Sequence, residues 1–305
     1  MNKNIELIES INRLRKEKDA VILAHNYQIG EVQDIADFVG DSLELSIKAS
    51  EVKKSTIVFC GVRFMAETAK ILNPGKKVLL PDDGAGCPMA NMISVKDVRK
   101  LRKEHPDAVI VCYVNSTAEV KALVDICCTS ANAVKVVSSI PADREIIFIP
   151  DKYLGTYVMS RTGRKMIFWR GYCPTHIMIN AKLLIQLKKD HPNAEILVHP
   201  ECTPELTDIA DKVLSTGGML RYVQESSNTK FIIGTEIGMI HRLQKLNPEK
   251  TFYPAQKNTI CPNMKLINLE KIMWSLEDSV YEINLPDEII RKARTSLEKM
   301  QEFTG

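Results

Sequence analysis

The sequence predicts an α/β protein made of three homologous small domains, each a parallel sheet between helices (three αβα layers), arranged around a pseudo-threefold axis. The first reason is an internal repeat. Residues 107–130 align without a gap on residues 19–42 with eight identities, and residues 105–137 align on residues 191–223, again with eight identities. The second reason is that short apolar runs alternate with helix-like stretches in each repeat, which is typical of parallel sheets covered by helices.

Short apolar runs rich in β-branched residues indicate the strands of each domain. The first strand is predicted at residues 20–24, 108–112 and 194–198 of the three repeats. The second is predicted at residues 56–59, 146–149 and 231–233. Two of the domains add a third strand, at residues 77–80 and 165–168.

A helix-like stretch follows the first strand of each repeat, at residues 32–39, 119–126 and 205–213. An acidic residue stands where each stretch begins, as the positive end of a helix dipole favours. These residues are Glu31, Glu119 and Glu205. A short turn, a hydroxyl residue and a second helix then complete the repeating pattern.

The repeat length of 86 to 88 residues divides the 305-residue chain into three domains and a tail. The predicted domains are residues 1–86, 87–172 and 173–261. We expect the tail, residues 262–305, to be mostly helical, with Pro286 marking a helix start, and to pack on the first domain. Because domains of this size are marginally stable alone, we expect them to share packing faces.

Composition places the chain among folded proteins, with 45% hydrophobic and 26% charged residues. The net charge of +3 is small, and no basic run indicates nucleic-acid binding. The beginning, Met1–Glu6, lacks the pattern of a signal peptide, and no apolar run has the roughly 18 residues of a membrane span. We therefore expect a cytoplasmic protein without nucleic-acid or membrane partners, whose eight cysteines are reduced thiols.

Three cysteines stand out because each precedes a proline and each falls once per repeat. Cys87 and Cys173 lie eighteen residues before His105 and His191, which are equivalent in the repeat, and Cys261 follows the last repeat. Thiolates select zinc or iron–sulfur clusters, and three protein ligands leave one metal position open to substrate. The alternative is that Cys-Pro is only a turn dipeptide.

Polar side chains recur where the first strand of each domain ends. The carboxyl ends of parallel strands form ligand sites, and polar groups there cost burial energy unless they are paired. One register holds His25, Tyr113 and His199; the next, two positions on, holds Tyr27, Asn115 and Glu201; a third holds Ser42, Ser130 and Thr216. The alternative is that these residues only cap strand ends and loops.

Hydroxyl residues stand where the second helix of each repeat begins. The free N–H groups and the dipole of a helix start bind phosphate or carboxylate, although ordinary N-capping also explains a single case. Three such sites around one axis would suit a small ligand with several negative charges. No Walker A or G-x-G-x-x-G pattern is present in the sequence, so a nucleotide cofactor is not indicated.

Eight segments, taken in order, resemble the quinolinate synthase family over nearly the whole chain. They are His25–Gln28, Gly40–Ser42, Cys87–Asn91, Tyr113–Ser116, Cys128–Asn132, His199–Cys202, Ser215–Gly217 and Gly234–Met239. The resemblance implies three similar α/β domains around a [4Fe–4S] cluster held by one cysteine from each. It also implies condensation of iminoaspartate with dihydroxyacetone phosphate to give quinolinate, phosphate and water for NAD biosynthesis.

By resemblance, Cys87, Cys173 and Cys261 are the cluster ligands, and the remaining iron faces the substrate. The implied substrate-binding residues are His25, Ser42, Tyr113, Asn115, Ser130, His176, His199, Glu201, Ser215 and Thr216. The hydroxyl residues among them would hold the phosphate and carboxylates. Met65 is a candidate cover for the substrate ring, and the alternative is that it is only a core methionine. A functional link to an enzyme that supplies iminoaspartate is also implied.

Catalytic roles follow from the chemistry that this reaction requires. Glu201 beside His199 is a carboxylate–imidazole pair suited to proton transfer. Tyr27 and Tyr113 are candidates for donating to oxygens or moving protons, and His25 is also predicted to act in catalysis.

One departure from the family pattern concerns the approach to the third cysteine. Some members have C-x2-C-x2-C there, whereas this chain has Ala255 and Asn258 at the two earlier positions, which argues against a disulfide switch. Three other functions stay open: a cluster-binding sensor or assembly protein, a zinc hydrolase with three thiolate ligands, and a cluster-free sugar-phosphate-binding protein.

Overall fold

The computed structural model describes residues 3–303, which form three four-stranded, all-parallel sheets with helices between the strands. The first two residues of the predicted first domain and the last two of the predicted tail lie outside this range. The three similar sheets confirm the predicted α/β fold class. The domain boundaries at residues 86, 172 and 261 stay a prediction.

The first sheet and its helices occupy the beginning of the chain. In order they are α1 (Lys3–Glu17), β1 (Ala20–His25), α2 (Gly30–Ile35), β2 (Phe38–Gly40), α3 (Ser42–Glu51), β3 (Thr56–Cys60), α4 (Arg63–Leu72) and β4 (Lys77–Leu79). The strand order is β2-β1-β3-β4, and β1 therefore lies between β2 and β3.

The second and third sheets repeat this order of elements. The second comprises a 3₁₀ turn (Met89–Met92), α5 (Val95–Glu104), β5 (Val109–Tyr113), α6 (Ala118–Lys121), β6 (Ile126–Cys128), α7 (Ala133–Ser139), β7 (Ile146–Ile149), α8 (Lys152–Thr162) and β8 (Ile167–Phe168). The third comprises a 3₁₀ turn (His176–Met178), α9 (Ala181–Asp190), β9 (Glu195–Val198), α10 (Pro204–Thr207), β10 (Lys212–Val213), α11 (Thr216–Glu225), β11 (Lys230–Gly234), α12 (Met239–Leu246) and β12 (Thr251–Pro254). Their strand orders are β6-β5-β7-β8 and β10-β9-β11-β12.

The predicted helix after the first strand of each repeat is wrong in its second half. The helix is short in all three cases, and an edge strand, β2, β6 or β10, occupies the end of the predicted stretch. An aspartate before each edge strand accepts a hydrogen bond from the backbone of the first strand at 2.8 Å. The pairs are Asp37 with Ile22, Asp125 with Ile110 and Asp211 with Ile196. This repeated contact ends the helix and fixes the chain in an extended conformation.

The third sheet also has a fourth strand, β12, that the sequence analysis left out. Its four residues end in Pro254, which is a weak strand signal. Because β12 lies at the edge of the sheet and pairs only with β11, the missing N–H of the proline breaks no pairing on the outer side. The strand completes the equivalence of the three sheets.

The tail is mostly helical, as predicted, and consists of a 3₁₀ turn (Met264–Leu266), α13 (Leu269–Asp278) and α14 (Asp287–Gln301). Pro286 stands directly before α14, where the sequence predicts a helix start. Helix α13 packs against α1, and α14 contacts α4, α6 and β6, so the tail lies against both the first and the second sheet. Ser296 of α14 donates to the carbonyl of Lys121 at 2.9 Å.

The central strands carry the apolar core. Ile22, Phe148 and Phe231 are completely buried, one from each sheet. Burying a side chain of this kind contributes roughly 1.5–3 kcal/mol relative to exposure, so the sheets are held from both faces by such residues. Among residues 3–303, no helix combines the length and the apolar composition that crossing a membrane requires.

Candidate active site

The carboxyl ends of the three sheets meet at one cavity, which has about 620 Å³ of space free of protein atoms, including space open to solvent. Thirteen predicted cysteine, substrate-binding or catalytic residues line it: His25, Tyr27, Ser42, Cys87, Tyr113, Asn115, Ser130, Cys173, His176, His199, Glu201, Thr216 and Cys261. Met65 lines it as well. Ser215 is the one predicted residue that does not face the cavity, since it lies at the cap of α11 instead.

Two of the strand-end side chains are histidines from different sheets, and each accepts a hydrogen bond from the backbone N–H two residues further on. Nδ1 of His25 accepts from the N–H of Tyr27 at 3.1 Å, and Nδ1 of His199 accepts from the N–H of Glu201 at 3.3 Å. The ring proton therefore lies on Nε2, from which His199 donates to Ser130 Oγ at 3.2 Å. Burial lowers the pKa of both histidines to about 3, so both are neutral at physiological pH.

Glu201 is the charged centre of the cavity. Its Oε1 accepts from the Tyr113 hydroxyl, and its Oε2 lies 2.7 Å from Nδ1 of His176. Burial alone raises the pKa of Glu201, but the neighbouring His176 and the hydrogen bonds from His176 and Tyr113 lower it below its ordinary value. The carboxylate is therefore ionised at neutral pH. The imidazole that binds it is that of His176, because Nδ1 of His199 is farther away at 3.9 Å.

A chain of hydroxyl groups continues from His176 to the first sheet. Nε2 of His176 lies 2.9 Å from Thr235 Oγ1, which lies 2.5 Å from the Tyr27 hydroxyl. Burial first, and then Glu201, raises the pKa of Tyr27 and of Tyr113 well above the ordinary value, so both phenols keep their protons. The sequence analysis did not single out Thr235. Its signal was available, since it directly follows a buried strand, β11.

The three Cys-Pro cysteines share one local structure. Each precedes a 3₁₀ turn whose backbone N–H groups donate to the sulfur: those of Ala90 and Met89 to Cys87, that of His176 to Cys173, and those of Met264 and Asn263 to Cys261. Burial raises the pKa of Cys87 to about 12 and also raises that of Cys173 and Cys261. All eight cysteines are free.

This donor set fits a soft metal centre. Three sulfurs line one cavity, and backbone N–H groups reach each of them, as they do around the sulfurs of iron–sulfur clusters, whose potential they help to set. Without a cation the thiols keep their protons, because burial disfavours the thiolate. One of them also belongs to a second grouping: Cys173, His176 and Glu201 present ligand atoms that all lie within 4.8 Å of one another.

The cavity wall also contains two helix starts. Ser42 and Thr216 are the first residues of α3 and α11, and both line the cavity. Asn26 Nδ2 donates to Thr216 Oγ1 at 2.8 Å, which ties the first sheet to the third. Ser215 caps α11 by accepting from the N–H of Gly218 at 3.1 Å. Free N–H groups at such starts favour anionic groups of a ligand.

Acidic and basic side chains lie next to these helix starts, and sequence reasoning missed the acid. Asp41, which lines the cavity, caps α3 and accepts from Ser215 Oγ at 3.3 Å. Arg221 reaches Glu44 of α3 at 3.2 Å across the boundary between the two sheets. The signal for Asp41 lay in the Gly-Asp-Ser sequence at the beginning of a helix, which is typical of a capping residue.

Asp151 is a second buried acid that the sequence analysis missed. It is fully buried, its Oδ1 accepts from the N–H groups of Tyr153 and Leu154, and its Oδ2 has no hydrogen-bond partner. Burial, and then the charge of Glu201, raises its pKa well above the ordinary value. Its position two residues after the strand β7 is the signal that would have found it.

Three repeated α/β units that direct thiols, an ionised carboxylate and neutral imidazoles into one cavity define an enzyme with a site for a soft metal centre. A family model described as Quinolinate synthetase A protein matches residues 9–302. This chain belongs to that family.

Curated relatives agree with the family over almost their whole length. A protein of Dehalococcoides mccartyi named quinolinate synthase is 54% identical over 296 residues, which cover 97% of this chain and 98% of the relative. Proteins with the same name from Thermodesulfovibrio yellowstonii and Pyrobaculum aerophilum are 52% and 48% identical. These two matches cover 96% and 97% of this chain, and 97% and 99% of the relatives.

Proposed function

We propose that this chain is a quinolinate synthase that condenses iminoaspartate with dihydroxyacetone phosphate and releases quinolinate, phosphate and water for NAD biosynthesis. The observation that carries the proposal is the convergence of Cys87, Cys173 and Cys261 on the cavity that also contains Glu201. Membership of the quinolinate synthetase A family supports the reaction. Eight free thiols suit a reducing compartment, so the proposed location is the cytoplasm.

The proposed cofactor is a [4Fe–4S] cluster held by the three cysteines. When bound, the cluster would supply a Lewis acid at the iron that no cysteine ligates. The backbone N–H groups of the three 3₁₀ turns would then donate to the ligating sulfurs, which lowers the cost of keeping them as thiolates in a buried site.

Glu201 is the proposed proton acceptor. It is ionised at neutral pH, it is buried, and its Oε2 lies next to Nδ1 of His176. A buried carboxylate takes up a proton more readily than one in water when its partners shift during the reaction. Tyr113, which donates to Oε1, keeps the carboxylate oriented and is a proton donor in the opposite direction.

The neutral histidines are proposed to bind substrate oxygens. Because Nδ1 of His25 and of His199 accepts a backbone N–H, each ring presents Nε2–H. Such a donor binds carboxylate or carbonyl oxygen without adding positive charge. Asn115, whose Oδ1 is buried without a partner, offers a further acceptor or donor to the substrate.

Phosphate and carboxylate groups are proposed to bind at the helix starts. Ser42 and Thr216 each offer a hydroxyl donor at the start of a ten-residue helix, where the helix dipole favours an anion. Ser130 lies beside His199 and adds a third hydroxyl. Ser215 acts through the cap of α11 and positions Thr216, so its part in anion binding is indirect.

Anaerobic purification followed by three measurements tests the proposal. A quinolinate synthase of this kind would be brown, would contain iron and sulfide, and would form quinolinate from iminoaspartate and dihydroxyacetone phosphate. The iminoaspartate would come from a separate supplying enzyme, which can be added to the assay. Colourless protein with bound zinc that neither takes up iron and sulfide nor makes quinolinate would favour a hydrolase, and brown protein that makes no quinolinate would favour a sensor. Colourless, metal-free protein that binds a sugar phosphate would favour the cluster-free alternative. Each of these three outcomes would overturn the proposal.

A further inference from the structure

We propose that Cys173, His176 and Glu201 form a binding site for a single zinc-type divalent cation in protein that lacks a cluster. The three ligand atoms lie within 4.8 Å of one another, with 3.1 Å between Cys173 Sγ and His176 Nδ1 and 2.7 Å between that nitrogen and Glu201 Oε2. Small shifts accommodate metal–ligand distances of about 2.0–2.3 Å.

The charges in this grouping favour a cation. Glu201 is buried and ionised, and among residues 3–303 its polar side-chain partners are Tyr113, Asn115, His176 and His199, none of them a lysine or arginine. A buried anion without a cationic partner is costly. Zinc with one carboxylate, one thiolate and one neutral imidazole has no net charge. Its binding releases only the proton of the Cys173 thiol.

Two of the three ligands are also held by a second partner through the atom that does not face the cation. Nε2 of His176 lies 2.9 Å from Thr235 Oγ1, so the ring proton can sit on Nε2 and leave the lone pair of Nδ1 for the metal. Oε1 of Glu201 is occupied by Tyr113, which leaves Oε2 for the metal. Partners of this kind orient the ligands of biological zinc sites and raise their affinity.

The other two Cys-Pro turns cannot form the same site. The residue three positions after the cysteine is His176 in the third repeat, whereas Ala90 and Met264 occupy that position after Cys87 and Cys261. Neither provides a nitrogen ligand. With three protein ligands the proposed site keeps one coordination position open to water.

Cobalt titration of the cluster-free, full-length chain tests this site, with cobalt(II) as a coloured substitute for zinc. We expect one equivalent to bind, with tetrahedral visible bands and a thiolate-to-cobalt charge-transfer band. Zinc should then displace the cobalt. Cys173→Ala should abolish the charge-transfer band, while the matched variant Cys87→Ala, which removes a proposed cluster ligand outside the site, should retain it.

A second variant separates ligation from general damage to the fold. Thr235→Val keeps the shape of the side chain but removes the partner of His176, and it should weaken cobalt binding by about 10–100-fold. Circular dichroism of each variant shows whether the fold is intact. Equal loss of the band in Cys87→Ala and Cys173→Ala, both folded, would overturn the proposal in favour of a site made by the three thiols. Absence of any charge-transfer band in the unchanged chain would overturn it as well.

Discussion

The turn after Cys173 and the turn after Cys87 have the same backbone form and different chemistry. Each begins with Cys-Pro, continues as a 3₁₀ turn and directs backbone N–H groups at the sulfur. Only the turn after Cys173 carries an imidazole, which binds the carboxylate of Glu201 at 2.7 Å. The repeat thus fixes where each sulfur lies, and single side chains in the third repeat add the proposed proton acceptor, Glu201, and its imidazole partner.

The largest expected effect is loss of the cluster, and it should be the same for a substitution in any of the three Cys-Pro turns. Cys87→Ala, Cys173→Ala and Cys261→Ala should each remove the cluster, because each takes away one of the three proposed protein ligands. Iron, sulfide and visible absorption of anaerobically purified protein provide the measurement, and Cys60→Ala, a buried cysteine outside the cavity, is the control. Full iron loading in any one of the three variants would remove that cysteine from the ligand set.

The next effect is a loss of turnover that is specific to the third repeat, which contains Glu201. Glu201→Gln should retain the cluster and lower kcat by about 10²–10⁴-fold, the usual contribution of a general acid or base. The exposed Glu205 of α10 provides the matched control, Glu205→Gln, which should be fully active. Activity of Glu201→Gln close to that of the unchanged enzyme would contradict the role of the carboxylate.

A smaller effect compares residues at two helix starts. Ser42→Ala should raise KM for dihydroxyacetone phosphate by about 10-fold with little change in kcat, as loss of one hydrogen bond to a charged group predicts. Ser215→Ala removes a cap instead and should lower the free energy of unfolding by about 1 kcal/mol. Ser50→Ala, at an exposed position of α3, is the control for both measurements. An unchanged KM in Ser42→Ala would exclude that residue from phosphate binding.

The repeated aspartates test whether the three sheets are also equivalent in stability. Asp37→Ala, Asp125→Ala and Asp211→Ala each leave a strand N–H without its acceptor and should lower the free energy of unfolding by roughly 1.5–3 kcal/mol. Urea denaturation measures this, with the exposed Asp190→Ala as control. If one variant loses nothing, the contact in that sheet is not a stabilising one.

The smallest effect concerns pH. The pKa of Asp151 is raised in the folded protein, so the folded state holds this proton more tightly than the unfolded chain does. Its contribution to stability is therefore complete below the unfolded pKa, near 4, and is lost as the pH rises from there toward the folded pKa. Asp151→Asn has no proton to lose at this position. The free energy of unfolding of the variant, minus that of the unchanged protein, should therefore increase between pH 4 and pH 8. An identical pH dependence in both proteins would show that Asp151 is not protonated in the fold.

Sequence patterns predicted the fold class because a repeat with alternating apolar runs has few other solutions. They did not predict the edge strands β2, β6 and β10. Two or three residues carry too little periodicity, and the aspartate that fixes each strand acts through a contact that only the folded chain displays.

The cavity could be predicted in large part because strand ends and repeated cysteines are visible in the sequence. Thr235, Asp41 and Asp151 were missed, because the partner that relates each of them to the site, Tyr27, Ser215 or Glu201, is distant in the sequence. The pairing of Glu201 with His176 rather than His199 also depends on geometry, because both histidines are compatible with the sequence.

The most direct test of the central claim is a Mössbauer spectrum of ⁵⁷Fe-labelled, anaerobically purified protein, recorded with and without quinolinate. The account predicts a cluster in which one iron site differs from the others, and quinolinate should change the signal of that site. A spectrum in which quinolinate alters no iron site, or protein that forms quinolinate without iron, would contradict the claim that three cysteines hold a cluster open to the substrate.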